Sequence, residues 1–196
     1  MALNDKDVRL LFDYARKSIE ASFKREKLAP KLVPKSLKIK AGVFVTLETY
    51  PFKELRGCIG FVEPVPLVDG VINAAKSSAF KDYRFPPLDE DELNNVVIEI
   101  SILSEPVEIK VSSPREYLEV INKGDGLILK KGYSEGLFLP QVWDQIPDKK
   151  RFLDELCLKA GLPYNSWMSP GVKIYRFSVE AWCEEKPGGK VVNVKT

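Results

Sequence analysis

The segment Leu55-Arg56-Gly57-Cys58-Ile59-Gly60 holds the chain's densest set of reactive residue types. In an extended strand, alternate side chains point to opposite faces. Leu55, Ile59 and Phe61 then share one face, and Arg56, Cys58 and Gly60 share the other. A guanidinium and a thiol on one face make a recognisable chemistry. A nearby cation favours thiolate, so the Cys58 pKa is expected to fall, and Cys58 is the candidate catalytic nucleophile. Glycine inside a strand marks a bulge or a close approach of backbone or ligand, which makes Gly57 and Gly60 candidate binding positions. The plainer alternative treats Cys58 as a small buried hydrophobe and Arg56 as a strand-edge charge, and residue types alone favour it.

Two other segments supply partners. Ile98, Ile100 and Ile102 take one face of a β-branched run, leaving Glu99 and Ser101 on the second face. A bidentate Arg56–Glu99 pair would be natural there, either orienting Arg56 toward an anion or acting as a structural salt bridge. The run Ser77-Ser78-Ala79-Phe80-Lys81-Asp82-Tyr83-Arg84-Phe85 ends a helix in polar side chains. Ser78, Asp82 and Arg84 are candidate binding residues, and Phe80 and Phe85 are expected in the core.

Composition narrows the chemistry. Among 196 residues there is no histidine, which removes triads with a His base, His-type zinc sites and His pH switches. The cysteines at 58, 157 and 183 form no CxxC pair, so reduced thiols are expected and no metal site. Gly57 and Gly60 do not make a dinucleotide fingerprint and no Walker-type loop is present, so no cofactor is implied. No apolar run approaches the ~20 residues of a membrane span. The first residues lack the apolar core of a signal peptide, so a cytoplasmic protein is expected. Residues 1–40 contain 11 basic and 5 acidic residues. The basic stretch Lys24–Lys40 raises nucleic-acid binding, yet no aromatic follows Phe23 there to stack a base. Lysine and glutamate are abundant (22 and 17) while glutamine occurs only at 141 and 145, which leans toward a thermophilic source.

These side chains need elements to place them. Asn4 or Asp5 caps a helix whose stripe runs Val8, Leu11, Phe12, Ala15, Ile19 and Phe23. Strands are predicted at 42–49 and 55–62, paired as a hairpin, and a helix opened by Pro64 and Pro66 and running to about Phe80. A third strand covers 96–103, and 106–110 is a possible fourth. Pro114 opens a helix to about Asn122. A second hairpin joins 127–131 to 137–139, a helical turn spans 141–145, and a helix covers 148–160 with Gly161 closing it. A return strand spans 172–183. The fold class is α+β: a mainly antiparallel sheet flanked by helices, with a smaller inserted α/β lobe. The large lobe is expected at about 1–110 plus 170–185, the small lobe at about 111–169, and 186–196 as a loose tail.

The segments LRGCIG at 55–60 and SAFKDYRFPP at 78–87 together resemble the AMMECR domain family. The resemblance runs on through Glu99 and Ser101, Leu139-Pro140-Gln141-Val142-Trp143, and Leu156 to Leu162, covering about residues 5–185. It implies a two-lobed α+β domain of unestablished activity. It also implies a Memo-type or radical-SAM protein as a possible partner. Many relatives carry His-Gly where this chain has Asp125-Gly126, a position expected to be a turn.

Three functions follow. The first is a module binding an anionic ligand or partner segment in a cleft beside the LRGCIG strand, through Arg56, Ser78, Asp82, Arg84 and Glu99. The second is a thiol enzyme with Cys58 as nucleophile and Glu99 or Asp82 as acid or base. The third is nucleic-acid binding through Lys24–Lys40. The lack of a convincing base favours the first.

Overall fold

The structure is a computed structural model and describes residues 3–30 and 33–194. Lys31 and Leu32, within the basic stretch, lie outside the described residues. The chain divides into two compact units, residues 1–103 with 180–195, and residues 104–179.

The first unit opens with α1 (Asp5–Phe23), capped by Asn4, whose side chain accepts from the backbone of Lys6 and Asp7. Its stripe of Val8, Leu11, Phe12, Ala15 and Ile19 is buried. Next come β1 (Lys40–Thr49), β2 (Leu55–Pro66), α2 (Leu67–Phe80) and β3 (Val96–Leu103). Pro66 ends the strand and precedes the helix, so α2 begins at Leu67 rather than at Pro64.

In this unit the strands order as β2-β1-β3-β8-β9, with β8 at Val179–Glu184 and β9 at Val191–Val194. The helices α1 and α2 cover one face, where Val43, Val45, Leu47, Ile98 and Ile100 meet Ala15, Ile19, Val71 and Ala75 in one core. Each of these valine, leucine and isoleucine side chains contributes roughly 1.5–3 kcal/mol by leaving water. Arg16 on α1 ties the last strands to this core. Its Nε donates to Glu184 Oε1 at 2.7 Å, and its guanidinium also donates to the carbonyls of Leu93 and Val96. Glu184 is 2% exposed and accepts from the Ile98 N–H as well. The stretch beyond residue 185, expected as a loose tail, contains β9, whose β-branched residues pair with β8.

The second unit contains β4 (Val107–Glu108), α3 (Tyr117–Val120), β5 (Gly126–Lys131), β6 (Ser134–Phe138), α4 (Val142–Gln145), α5 (Lys149–Lys159) and β7 (Lys173–Phe177). Its sheet orders as β4-β7-β5-β6. Its core centres on Phe152, which stacks on Trp143 with centroids 3.7 Å apart. Gly161 takes a left-handed φ of 73° where the chain leaves α5, as its capping role requires. Asp125 sits in the predicted turn, its N–H bonded to the Asn122 carbonyl at 3.0 Å.

The return strand expected over 172–183 is two strands in two sheets, β7 with β5 and β8 with β9. The helix expected from Pro114 to Asn122 is one tight turn followed by the four residues of α3. β4 and β7, near the two ends of the second unit, pair with each other.

Candidate functional site

The sheet face turned away from α1 and α2 carries the residues of interest. Across three strands, Cys58 on β2 pairs with Thr46 on β1, and Thr46 pairs with Glu99 on β3. The next row is Gly60, Phe44 and Ser101. Cys58, Glu99, Gly60 and Ser101 therefore share a face, as the alternation predicts.

Arg56 leaves that face. Leu47 pairs with Gly57 and Glu48 with Leu55, so Arg56 is the extra residue of a β-bulge. The bulge aims its side chain at the loop after α2. There Nε and Nη2 donate to the two carboxylate oxygens of Glu92 at 3.0 and 2.9 Å, and Nη1 donates to the Pro86 carbonyl at 3.0 Å. The expected Arg56–Glu99 pair is thus corrected to Arg56–Glu92. Arg56 is 9% exposed at its side chain and holds the loop, rather than facing solvent. The two guanidinium bonds hold the Glu92 carboxyl below its ordinary value. Phe85, expected in the core, lies beneath two cations instead, 6.0 Å from the Arg56 guanidinium and 5.5 Å from that of Arg84.

Ser78 and Gly57 explain each other. A Cβ at Gly57 would lie 2.2 Å from the Ser78 carbonyl oxygen, so only glycine lets the end of α2 approach β2. That approach places the Ser78 hydroxyl between paired strands. Its Oγ donates to the Val45 carbonyl at 2.7 Å and accepts from the Ile59 N–H at 2.8 Å. Gly60 is required by packing too, since a Cβ there would meet the Phe44 ring at 2.4 Å.

Asp82 closes the outer edge of β2. Its carboxylate accepts from the Cys58 N–H at 2.9 Å and from Arg84 Nε and Nη2 at 2.9 and 2.7 Å. The Arg84 bonds, followed by those from backbone N–H groups, outweigh burial and hold the Asp82 carboxyl well below the usual carboxylate range. Arg84 also reaches the Cys58 carbonyl at 3.4 Å and keeps its side chain 44% exposed.

The electrostatics of Cys58 run against the expectation of an activated thiolate. Burial pushes its pKa up, although the Thr46 hydroxyl, 3.2 Å from Sγ, and the Arg84 charge pull the other way. The cation expected to lower it, Arg56, is paired with Glu92. Burial also raises the Glu99 and Glu48 carboxyls, and Glu48 pushes Glu99 further up. Among the described residues Glu99 receives only a long bond of 3.4 Å, from the Ser101 hydroxyl. The face therefore presents a neutral thiol, a hydroxyl and desolvated carboxyls beside one oriented, half-exposed guanidinium. Among the described residues, no group of three or more Cys, Asp or Glu is placed to hold a metal ion.

Thr46, Glu92 and the Pro86 carbonyl were not legible as site residues. Glu92 sits in the acidic run Asp89-Glu90-Asp91-Glu92, where no spacing singles it out. Thr46 had a signal, since alternation in β1 puts it on the same face as Phe44 and Glu48.

No described helix is long and apolar enough to cross a membrane. The chain is 47% identical over 189 residues to Protein MJ0810 of Methanocaldococcus jannaschii, covering 93% of this chain and 92% of that one. It is 46% identical over 174 residues to Protein MK0488 of Methanopyrus kandleri, covering 85% and 82%. The crystal structure of the uncharacterized protein PH0010 from Pyrococcus horikoshii superposes with a TM-score of 0.90 at 41% identity, over 99% of each chain. The model of the AMMECR1 family matches residues 12–182, and the chain belongs to that family.

Proposed function

We propose that the protein is a binding module that takes an anionic ligand on the open face beside β2, with Arg84 as its contact. The observation that supports this reading is the division of labour between the two arginines. Arg56 gives both ends of its fork to Glu92 and a third donor to Pro86. Arg84 is oriented by buried Asp82 yet keeps its side chain 44% exposed. A guanidinium fixed along one edge presents its remaining donors in a set geometry, which suits a carboxylate or similar anion. Ser78, Asp82, Gly57 and Gly60 shape the strand, while half-buried Cys58, Thr46 and Glu99 line the face and Ser101 is buried. Cys58 as a nucleophile ranks second, since its pKa is raised, the adjacent Asp82 carboxylate is held by Arg84 and the Cys58 N–H, and Glu99 stands across the intervening strand β1.

The test is a thermal-shift screen of small mono- and dicarboxylates against the native protein, Arg84→Gln and Cys58→Ser. A stabilising carboxylate whose effect is lost in Arg84→Gln and kept in Cys58→Ser supports the reading. Stabilisation that survives Arg84→Gln overturns it.

A further inference from the structure

A second recess in the first unit lies between α1 and the β8–β9 turn. It has a volume of about 590 Å³, within the range of small-molecule sites. Its floor is the Arg16–Glu184 pair, which is nearly desolvated and internally neutral. Arg16 holds four acceptors across three segments, so this floor is rigid. One wall is the α1 face presenting Arg9, Asp13 and Arg16, residues spaced to stack along one side of a helix. The other wall is the turn Gly188-Gly189-Lys190.

Gly188 has φ 63°, a left-handed conformation, and the nearest atom to a Cβ built there is Arg16 Nε at 3.9 Å. The turn therefore passes close to the Arg16 guanidinium with backbone rather than side chain, which leaves the mouth clear. Around that mouth stand Arg9, Lys190 and Asp13, all exposed. Among the described residues no side chain of the three has a hydrogen bond or ion pair, in contrast to the saturated pair beneath them.

We infer that this recess is a binding site for a small phosphate ester bearing hydroxyls, distinct from the face beside β2. The phosphate sits between Arg9 and Lys190, which approach from opposite walls. Arg9 offers a fork and Lys190 a point charge, neither side chain in an ion pair among the described residues, and together they suit a phosphate. Asp13, one helical turn from Arg9, can only accept, so it takes a hydroxyl of the carbon frame. Glu184 cancels Arg16, so the rim alone sets the charge preference.

Isothermal titration with ribose 5-phosphate, ribose and inorganic phosphate tests this on the full chain. The expected result is saturable binding of ribose 5-phosphate that weakens about tenfold in Arg9→Gln and in Lys190→Gln. Both positions are exposed, so both variants fold. Arg9→Gln and Lys190→Gln keep the carboxylate stabilisation that Arg84→Gln loses, which separates this site from the one beside β2. Asp13→Asn weakens ribose 5-phosphate and leaves inorganic phosphate unchanged. Absence of saturable binding, or binding indifferent to both Arg9→Gln and Lys190→Gln, overturns the site. Inorganic phosphate binding as tightly as the ester overturns the assignment to a hydroxylated ester.

Discussion

Asp82 holds Arg84 through two parallel hydrogen bonds, of 2.9 and 2.7 Å, while one of the same oxygens accepts the Cys58 N–H. One buried carboxylate thus fixes both a strand edge and an exposed guanidinium. Asp82→Asn keeps the shape and loses the charge, and should cost about 2 kcal/mol, limited by the exposure of Arg84. Urea denaturation at neutral pH measures this. The pH dependence has a definite sign. The folded pKa of Asp82 lies below its unfolded value, so its contribution is complete above about pH 4 and is lost as the pH falls below that. Asp82→Asn should flatten the acid limb of the stability curve.

Glu99 should behave in the opposite sense. Its folded pKa is raised, so the folded state holds its proton more tightly and loses stability as the pH rises through the carboxylate range. Glu99→Gln should therefore raise the melting temperature at neutral pH, with the gain vanishing below about pH 4. Melting curves of both proteins across that range decide it. A variant less stable than the native protein at pH 7 would show that the carboxylate has a stabilising partner.

Cys58 should label slowly at neutral pH, with an apparent pKa above the ordinary thiol value. Cys183, pushed by burial to about 11, and buried Cys157 should label only on unfolding. Labelling rate against pH, read for each cysteine by peptide mass spectrometry, checks all three. Fast labelling of Cys58 below pH 7 would move the nucleophile reading to first place.

Ser78→Ala removes the hydroxyl that links Val45 to Ile59 and leaves a buried carbonyl and N–H without that partner. The cost should be about 1–3 kcal/mol. Hydrogen exchange should show the Ile59 amide losing protection while the α1 amides keep theirs.

Gly57→Ala is the harsher change. The new methyl would lie 2.2 Å from backbone, which cannot yield as a flexible side chain can. A loss of at least about 3 kcal/mol is expected in urea denaturation.

Much of the first unit could be read from residue order. Alternation in β1 and β3 placed Glu99 and Ser101 away from the core, and the stripe of α1 is buried as its spacing implies. The partnership of Arg56 was not legible, because a bulge breaks the period that put it beside Cys58. Period-2 reasoning carries no information about where an extra residue falls. The two-sheet return at 173–184 was hidden for a related reason. Extended residue types run on from Val172 to Cys183 with no glycine or proline, and only Ser178 stands between strands that join different sheets. Ser78 stands out in the sequence as a polar residue at a helix end, but its insertion into the β1–β2 pairing depends on a helix–strand distance that no local pattern encodes.

The Arg16–Glu184 pair joins residues 168 positions apart in sequence. It sets an order on how the chain is completed as it leaves the ribosome. Residues 104–179 form an unbroken stretch and have all their strands once Phe177 has emerged. The earlier half must wait with a guanidinium beside the Leu93 and Val96 carbonyls and no carboxylate to meet it. The part synthesised first is therefore the part finished last.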